Sequence, residues 1–433
     1  MNPIAEAFHH SDVVFLTGAG GTGKTYLINE FIDEQDFTTV VARTATTGIA
    51  ATHINGDTIH RFSGLGIRKK LEDLRLIVQH KSFKFTERKI RDTDIIIIDE
   101  ISMLHQDQLT LLDKIFKFAT RSEEPFGGKK ILFSGDFLQL PPVDKETRES
   151  QWCFRSESWI EADPTTVELT KIYRQTDREF TELLMRLREG SLNDADLKLL
   201  ASLPSHPVTS PEPIHLVSTN HEADTFNFAK LNDLSGTRYV NKAKLETPNA
   251  SSEAQANYLK RSFTEDLVVP ELLYIKPQCR VVMLVNNPSL GFYNGSLGTV
   301  IAVTPTRVHV MLDKSESIVE VPTHVFERRG HDGSVSVTFE QYPMKLAYAI
   351  TIHKSQGMTL DACHIDMLRF FAPGQAYVAL SRVRSFDGLT LANFQPKAIV
   401  TDRIAAEFYT QARAKSTEPR SPADARILDH NHC

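Results

Sequence analysis

Eight residues, Gly18-Ala19-Gly20-Gly21-Thr22-Gly23-Lys24-Thr25, keep the spacing G-x-x-x-x-G-K-[ST], whose chemistry is the cradling of phosphates. Glycines let the backbone turn tightly enough for successive N–H groups to converge on phosphate oxygens, and a helix starting there adds the partial positive charge of its N-terminus. Lys24 then reaches the β- and γ-phosphates, and the Thr25 hydroxyl reaches a magnesium ion that bridges them. Further along, Ile95-Ile96-Ile97-Ile98 ends in Asp99-Glu100, a buried strand closed by two carboxylates, which packing alone does not explain. Asp99 at the strand tip suits the magnesium shell, and Glu100 suits a general base that polarises the attacking water. The loop Gly135-Asp136-Phe137-Leu138-Gln139-Leu140-Pro141-Pro142 follows the next apolar run, so Gln139 emerges at the same sheet edge and can sense the γ-phosphate by hydrogen bonding. These residues predict an ATP-hydrolysing site that uses ATP and Mg2+.

The elements that must hold them follow from hydrophobic periodicity. Strands are expected at residues 13–16, 39–42, 95–98 and 130–133, alternating with helical patterns such as Leu27, Ile28, Phe31, Ile32 and Leu109, Leu112, Phe116, Ala119. That alternation predicts an α/β domain with a parallel sheet covered on both faces. Residues 60–92 interrupt it with polar, basic and aromatic residues and are expected to form an insertion that meets nucleic acid. After a Pro- and Ser-rich loop at 202–213, a strand at 214–217 and a helix beyond Asn220 open a second α/β domain. A strand at 280–285, the tight-turn pair Asn294-Gly295, and short alternating runs at 298–303, 308–312, 318–321 and 335–339 predict a small β-barrel inserted in that domain. The α/β pattern resumes at 347–352 and continues through 389–392, and the tail from 416 is expected to be disordered.

Composition narrows the class. A length of 433 residues with 41% hydrophobic content supports several domains with large cores. No run of eighteen apolar residues exists and residues 1–10 lack the regions of a secretory signal, so a cytoplasmic location and no membrane partner are expected. Cys153, Cys279, Cys363 and Cys433 form no C-x-x-C pair, which indicates neither a zinc site nor a disulfide framework. A net charge of −6 argues against indiscriminate polyanion binding by bulk charge. Local clusters at Arg68-Lys69-Lys70 and at 81–89 remain candidates to line a basic channel.

The run Glu124-Pro125-Phe126-Gly127-Gly128-Lys129-Lys130-Ile131-Leu132-Phe133-Ser134-Gly135-Asp136-Phe137-Leu138-Gln139-Leu140-Pro141-Pro142-Val143 closely resembles the signature of the Pif-type (petite integration frequency) DNA helicases of superfamily 1B, with RecD-like relatives. The resemblance extends in order through Thr46-Thr47-Gly48-Ile49-Ala50-Ala51, Thr58-Ile59-His60, Ile172-Tyr173-Arg174-Gln175, Thr351-Ile352-His353-Lys354-Ser355-Gln356-Gly357-Met358-Thr359 and Tyr377-Val378-Ala379-Leu380-Ser381-Arg382-Val383-Arg384. It implies a 5′→3′ ATP-driven helicase, monomeric when free, whose partners are single-stranded and forked duplex DNA in a bacterial or phage-infected cell. It implies two RecA-like domains of the P-loop type, at 1–165 and at 166–296 with 345–415, a wedge insertion at about 60–92, an SH3-like barrel at 297–344 and a loose tail at 416–433.

By the same resemblance Arg174 and Arg382 are arginine fingers from the second domain, and such a guanidinium stabilises transition-state charge on the γ-phosphate. Tyr173 matches the position that stacks on adenine. Thr46, His60, Phe62, His353, Lys354 and Ser355 match DNA contacts, with hydroxyls and lysine suited to phosphates and rings to bases. A strand-separating pin is expected in the insertion, at Phe83 or Phe85. The family also carries a glutamine upstream of the phosphate loop that reads adenine, and residues 1–12 contain none, so the base is left unspecified. The alternative reading is an ATP-switched single-strand-binding or remodelling factor that does not unwind, and RNA tracking stays open because nothing reports on a 2′-hydroxyl.

Overall fold

The first sheet of the computed structural model has six strands: β1 (Val13–Gly18), β2 (Val41–Ala45), β3 (Asp57–Thr58), β4 (Ile95–Asp99), β5 (Lys130–Gly135) and β6 (Thr165–Leu169). The structure describes residues 2–66, 71–80, 83–142, 150–205, 213–266, 269–313, 315–329 and 334–417. The spatial order is β3-β2-β4-β5-β1-β6, with every pairing parallel. Strict alternation sorts the side chains onto two cores. Val13, Phe15, Ile96 and Ile98 enter one, while Val14, Leu16, Ile95 and Ile97 enter the other. Because β1, β4 and β5 run parallel in close register, their C-terminal ends bring Gly18, Asp99 and Asp136 to one edge.

Two boundaries differ from expectation. The second strand begins at Val41 rather than at 39, because the Asp36 carboxylate accepts from the Thr38 amide and hydroxyl and the Thr39 N–H bonds the Asp36 carbonyl, which makes 36–39 a turn. The division expected at 165 falls at the start of β6, a half-buried edge strand beside β1. In the insertion, the helices Asp73–Val78 and Phe83–Arg91 pack against the helix Gln106–Thr120. Residues 67–70 and 81–82, which carry most of the expected basic clusters, lie outside the described residues.

The second sheet joins Ala349–Thr351, Ile214–Val217, Cys363–Asp366 and Leu389–Ala392, again all parallel. Its insertion is larger than the expected 297–344. Antiparallel strands from Tyr239–Lys242 to Met344–Leu346 belong to it, including Arg280–Met283, which pairs with both Leu297–Val303 and Met344–Leu346. The strands Tyr239–Lys242 and Lys244–Glu246 are short, polar and largely exposed, so they carry no hydrophobic period.

The helix Arg403–Thr417 is not part of the second domain, where it was expected. Ala405 and Tyr409 enter the core of the first domain, and Phe408 stacks on Phe154 at 4.4 Å and meets Phe137 edge-on at 5.3 Å. An amphipathic pattern reveals that a helix has a buried face, not which sheet buries it. The helix runs to Thr417, past the expected start of a loose tail, and 418–433 lie outside the described residues. Cys153, Cys279 and Cys363 are buried and unpaired.

Candidate nucleotide and nucleic-acid sites

The phosphate loop is held by backbone geometry that only glycine satisfies at its ends. Gly18 has φ +149°, and a Cβ there would sit 2.5 Å from the Leu169 carbonyl oxygen on β6. Gly23, at φ +87°, turns the chain into the helix Lys24–Asp33. The Thr22 hydroxyl donates to the Ala19 carbonyl at 2.9 Å, and Lys24 Nζ donates to the Gly18 and Ala19 carbonyls at 2.7 and 3.1 Å. Burial lowers the Lys24 pKa, opposed by Asp136, Glu100 and Asp99, so the ammonium sits among carboxylates at the mouth of the loop. Thr25 lies half-buried in the first helical turn, and Asp99 is buried at the tip of β4. A hydroxyl and a carboxylate are hard oxygen donors of the kind that hold magnesium together with substrate phosphates.

Glu100 is locked in a turn. Its backbone is left-handed, φ 53° and ψ 43°, an uncommon state for a residue with a Cβ. Three bonds hold it there: Asp99 Oδ1 accepts the Glu100 N–H at 2.9 Å, the Thr46 N–H donates to the Asp99 carbonyl at 3.0 Å, and the Thr46 hydroxyl donates to the Glu100 carbonyl at 2.7 Å. Burial and the neighbouring Asp99 push the Glu100 carboxyl up to about 7, against the pull of Lys24, Arg382 and Gln356.

A buried polar chain runs from this carboxylate across the domain boundary. Gln356 Nε2 donates to Glu100 Oε2 at 2.9 Å and to Gln139 Oε1 at 3.2 Å, and Gln139 Nε2 donates to Asp136 Oδ2 at 3.2 Å. Asp136 in turn accepts both ends of the Arg188 guanidinium, at 3.0 and 2.8 Å. Tyr409 donates to Asp136 at 3.2 Å and lies 2.6 Å from the Thr17 hydroxyl. Sequence reasoning assigned no role to Thr17, Asp136, Gln356, Arg188 or Tyr409. Gln356 stands inside the quoted run 351–359, whereas Arg188 and Tyr409 look like ordinary members of amphipathic helices.

Three second-domain groups reach the phosphate loop. A Cβ built on Gly20 would lie 3.4 Å from Arg382 Nη2, 3.5 Å from the Tyr377 hydroxyl and 3.6 Å from Arg174 Nη1. Arg382 is fully buried, with no carboxylate hydrogen-bonded to it among the described residues. It donates to the carbonyls of Val378, Ser355 and Met358 and to the Ser381 hydroxyl. Burial and the adjacent Arg174 lower its pKa to about 9, with Glu100 opposing, so it stays charged at neutral pH. Arg174 sits on the segment that crosses between domains and donates to the Ser381 and Gly357 carbonyls at 3.3 and 3.4 Å. Beside it the Tyr173 N–H donates to the Gly21 carbonyl at 2.9 Å, and the ring, 64% exposed, lies against Gly23 with Lys171 over its face at 4.9 Å. Arg382→Ala is expected to slow ATP hydrolysis by about 10³- to 10⁵-fold, measured at saturating ATP and DNA, with nucleotide affinity changing far less.

The expected DNA contacts separate into two groups. His60, His353 and Lys354 are half-buried and accessible. Phe62 is not: it is 2% exposed in the first core, edge-on to Phe116 at 6.3 Å, so it cannot stack on a base. Thr46 spends its hydroxyl proton on Glu100, and the Ser355 hydroxyl, fully buried, donates back to the Ile352 carbonyl at 2.7 Å. The Ser355 bond is the local kind that short polar side chains make first, whereas Thr46 reaches a carbonyl on the neighbouring strand end. Of the two pin candidates, Phe83 is buried against Phe118, and Phe85 is half exposed.

Beside Lys354, Lys345 is drawn down to about 7 by burial and by Lys354 itself. Met344 and Leu346 on either side of it enter the core of the antiparallel insertion, so alternation turns Lys345 to the opposite face.

The family model of PIF1-like helicases matches residues 2–198. The ATP-dependent DNA helicase Pif1 of Bdellovibrio bacteriovorus is 35% identical over 92% of this chain and 88% of its own length, and human ATP-dependent DNA helicase PIF1 is 34% identical over 95% of this chain and 63% of its own. The crystal structure of Pif1 helicase from Candida albicans superposes with a TM-score of 0.80 at 33% identity, covering 94% of this chain and 97% of that one. That of Bacteroides sp. Pif1 in complex with ADP-AlF4 gives 0.78 at 28%, covering 95% and 96%. With the phosphate loop, the Asp99-Glu100 tip and the two guanidiniums brought together in a fold of that shape, the chain belongs to the PIF1-like helicase family.

Proposed function

We propose that this chain is an ATP-dependent DNA helicase that moves 5′→3′ along single-stranded DNA and separates duplex ahead of it, in DNA replication, repair or recombination. The observation that carries the reading is the convergence of Arg382 and Arg174 on Gly20. Phosphate-loop residues lie on one domain and charge-stabilising arginines on the other, so hydrolysis requires a closed cleft and opening follows product formation. Lys24 and the loop amides bind the phosphates, Tyr173 stacks on the base, and Glu100 takes the proton of the attacking water. Gln139 reads the γ-phosphate, and Gln356 Oε1, buried without a donor among the described residues, accepts a hydrogen from that water. Thr25 and Asp99 hold magnesium, which neutralises charge on the β- and γ-phosphates when bound.

His60, His353 and Lys354 contact the DNA strand. Separating a base-pair step costs on average about 1.4 kcal/mol, a modest load per hydrolysis. Bacteroides Pif1 has been solved bound to single-stranded DNA, and another solved Pif1 structure concerns DNA unwinding at forked duplex DNA, which supports the same substrates here. The protein acts as a monomer when free, in the cytoplasm of a bacterial or phage-infected cell. Among the described residues no helix is long and apolar enough to cross a membrane.

Forked duplexes with either a 5′ or a 3′ single-stranded tail test the reading. Unwinding is expected only from the 5′ tail. Unwinding from the 3′ tail alone overturns the polarity, and ATP hydrolysis with no unwinding of either fork favours an ATP-switched binding factor.

A further inference from the structure

Tyr377 reaches the phosphate loop from the short helix Gln375–Leu380 of the second domain. Its phenolic oxygen accepts the Gly20 N–H at 2.8 Å, and the ring is buried within the second core. The helix is seated firmly on the first domain. Its N-cap, Gly374 at φ +71°, lies so close to the Gln139 carbonyl that a Cβ would collide with it. One end of the helix therefore touches Gln139 and the body touches Gly20.

The hydroxyl has one proton, and accepting the Gly20 N–H leaves that proton unspent. No acceptor lies within hydrogen-bond distance of it among the described residues. The other two groups that crowd the same Gly20 position are Arg382 Nη2 and Arg174 Nη1, which can only donate. Asp136, whose charge reaches Tyr377, already accepts from Arg188 twice and from Gln139, Tyr409 and the Leu138 N–H. A buried hydroxyl proton among donors and a saturated carboxylate fits an oxygen-rich anion brought by a ligand.

We propose that Tyr377 is a further catalytic residue, whose hydroxyl, anchored on the Gly20 amide, donates its proton in a hydrogen bond to a γ-phosphate oxygen beside the two guanidiniums. Burial keeps the phenol protonated, with the Asp136 charge acting in the same direction. A neutral donor fixed on the loop itself adds what the arginines lack, a contact whose position does not depend on a long flexible stem. The inference rests on the nucleotide site described above. It makes Tyr377 a discriminator of triphosphate from diphosphate, because ADP has no γ-phosphate oxygen to receive the proton.

Tyr377→Phe keeps the ring and removes only the oxygen. Affinities for a non-hydrolysable ATP analogue and for ADP are measured on the full chain, with kcat for DNA-stimulated hydrolysis and single-stranded DNA affinity alongside. The expected result is an analogue affinity weakened about 3- to 10-fold and a kcat reduced about 10-fold, with ADP and DNA affinity unchanged. Equal weakening of analogue and ADP, or unchanged affinity for both, overturns the proposal, since either outcome leaves the γ-phosphate untouched by Tyr377. Lys24→Ala is measured in parallel. If it keeps full affinity for both nucleotides, the site assignment itself has failed, whatever Tyr377→Phe does.

Discussion

Glu100→Gln is expected to lower DNA-stimulated ATP hydrolysis by about 10²- to 10⁴-fold, the range that a positioned general base supplies, while ATP and DNA still bind. The amide is nearly isosteric, and the turn that presents it is held by the Glu100 backbone, the Asp99 carboxylate and carbonyl, and Thr46, none of which involves the Glu100 side chain, so the loss is chemical. The wild-type pH profile carries the same signature. Burial and Asp99 hold the Glu100 carboxyl near 7, and a base works only when deprotonated. The kcat/KM for ATP hydrolysis, which reports the nucleotide-free enzyme, is therefore expected to rise with pH through about 7 and level off above it. The residual activity of Glu100→Gln is expected to lack that limb. A variant that hydrolyses ATP at the wild-type rate, or that keeps the limb, assigns the base to another residue.

The second large effect concerns stability. Arg188 and Asp136 form a bidentate pair with both side chains essentially out of solvent, joining a helix of the second domain to the loop that carries Gln139. Removing one partner leaves an uncompensated buried charge, at a cost of about 3–5 kcal/mol, whereas replacing both with apolar groups recovers much of it. Arg188→Met is thus expected to shift the urea midpoint strongly, and Arg188→Met with Asp136→Leu to shift it less. Arg188 holds the Asp136 carboxyl below its usual range, with Lys24 and the Leu138 amide adding to the effect. A depressed carboxylate stabilises the fold above its unfolded pKa of about 3.9, and this is lost as pH falls through the folded value. Wild-type stability should carry a component that disappears only in acid below about 4, and the double variant should lack it. Equal midpoints for Arg188→Met and wild type would mean that the pair contributes nothing net.

The nucleotide half of the site was legible because its chemistry is local in sequence. Gly18 to Thr25, Asp99 with Glu100, and Gln139 each follow an apolar strand, and a parallel sheet must bring such strand ends to one edge. The DNA half was less legible, because exposure is a tertiary property. Phe62 and His60 stand two residues apart on one short helix, yet the core takes only the first. Thr46 and Ser355 have side chains suited to phosphate, but bonding a nearby carbonyl is the shorter path. Arg188 gave no signal at all, since nothing in an amphipathic helix says that a boundary charge will be swallowed by a carboxylate far away in the chain. The antiparallel insertion was visible where strands alternate, at 298–321, and hidden where they are short and wet, at 239–246.

The return of the helix Arg403–Thr417 to the first core has a mechanical consequence. The polypeptide passes from one RecA-like body to the other twice, once between Leu169 and Arg178 and again between Ile399 and Arg403. A single tether lets two bodies swivel in any direction. Two tethers restrict that freedom more than one does, so the expected relative motion of the bodies is hinge-like, with closure bringing the arginines over Gly20.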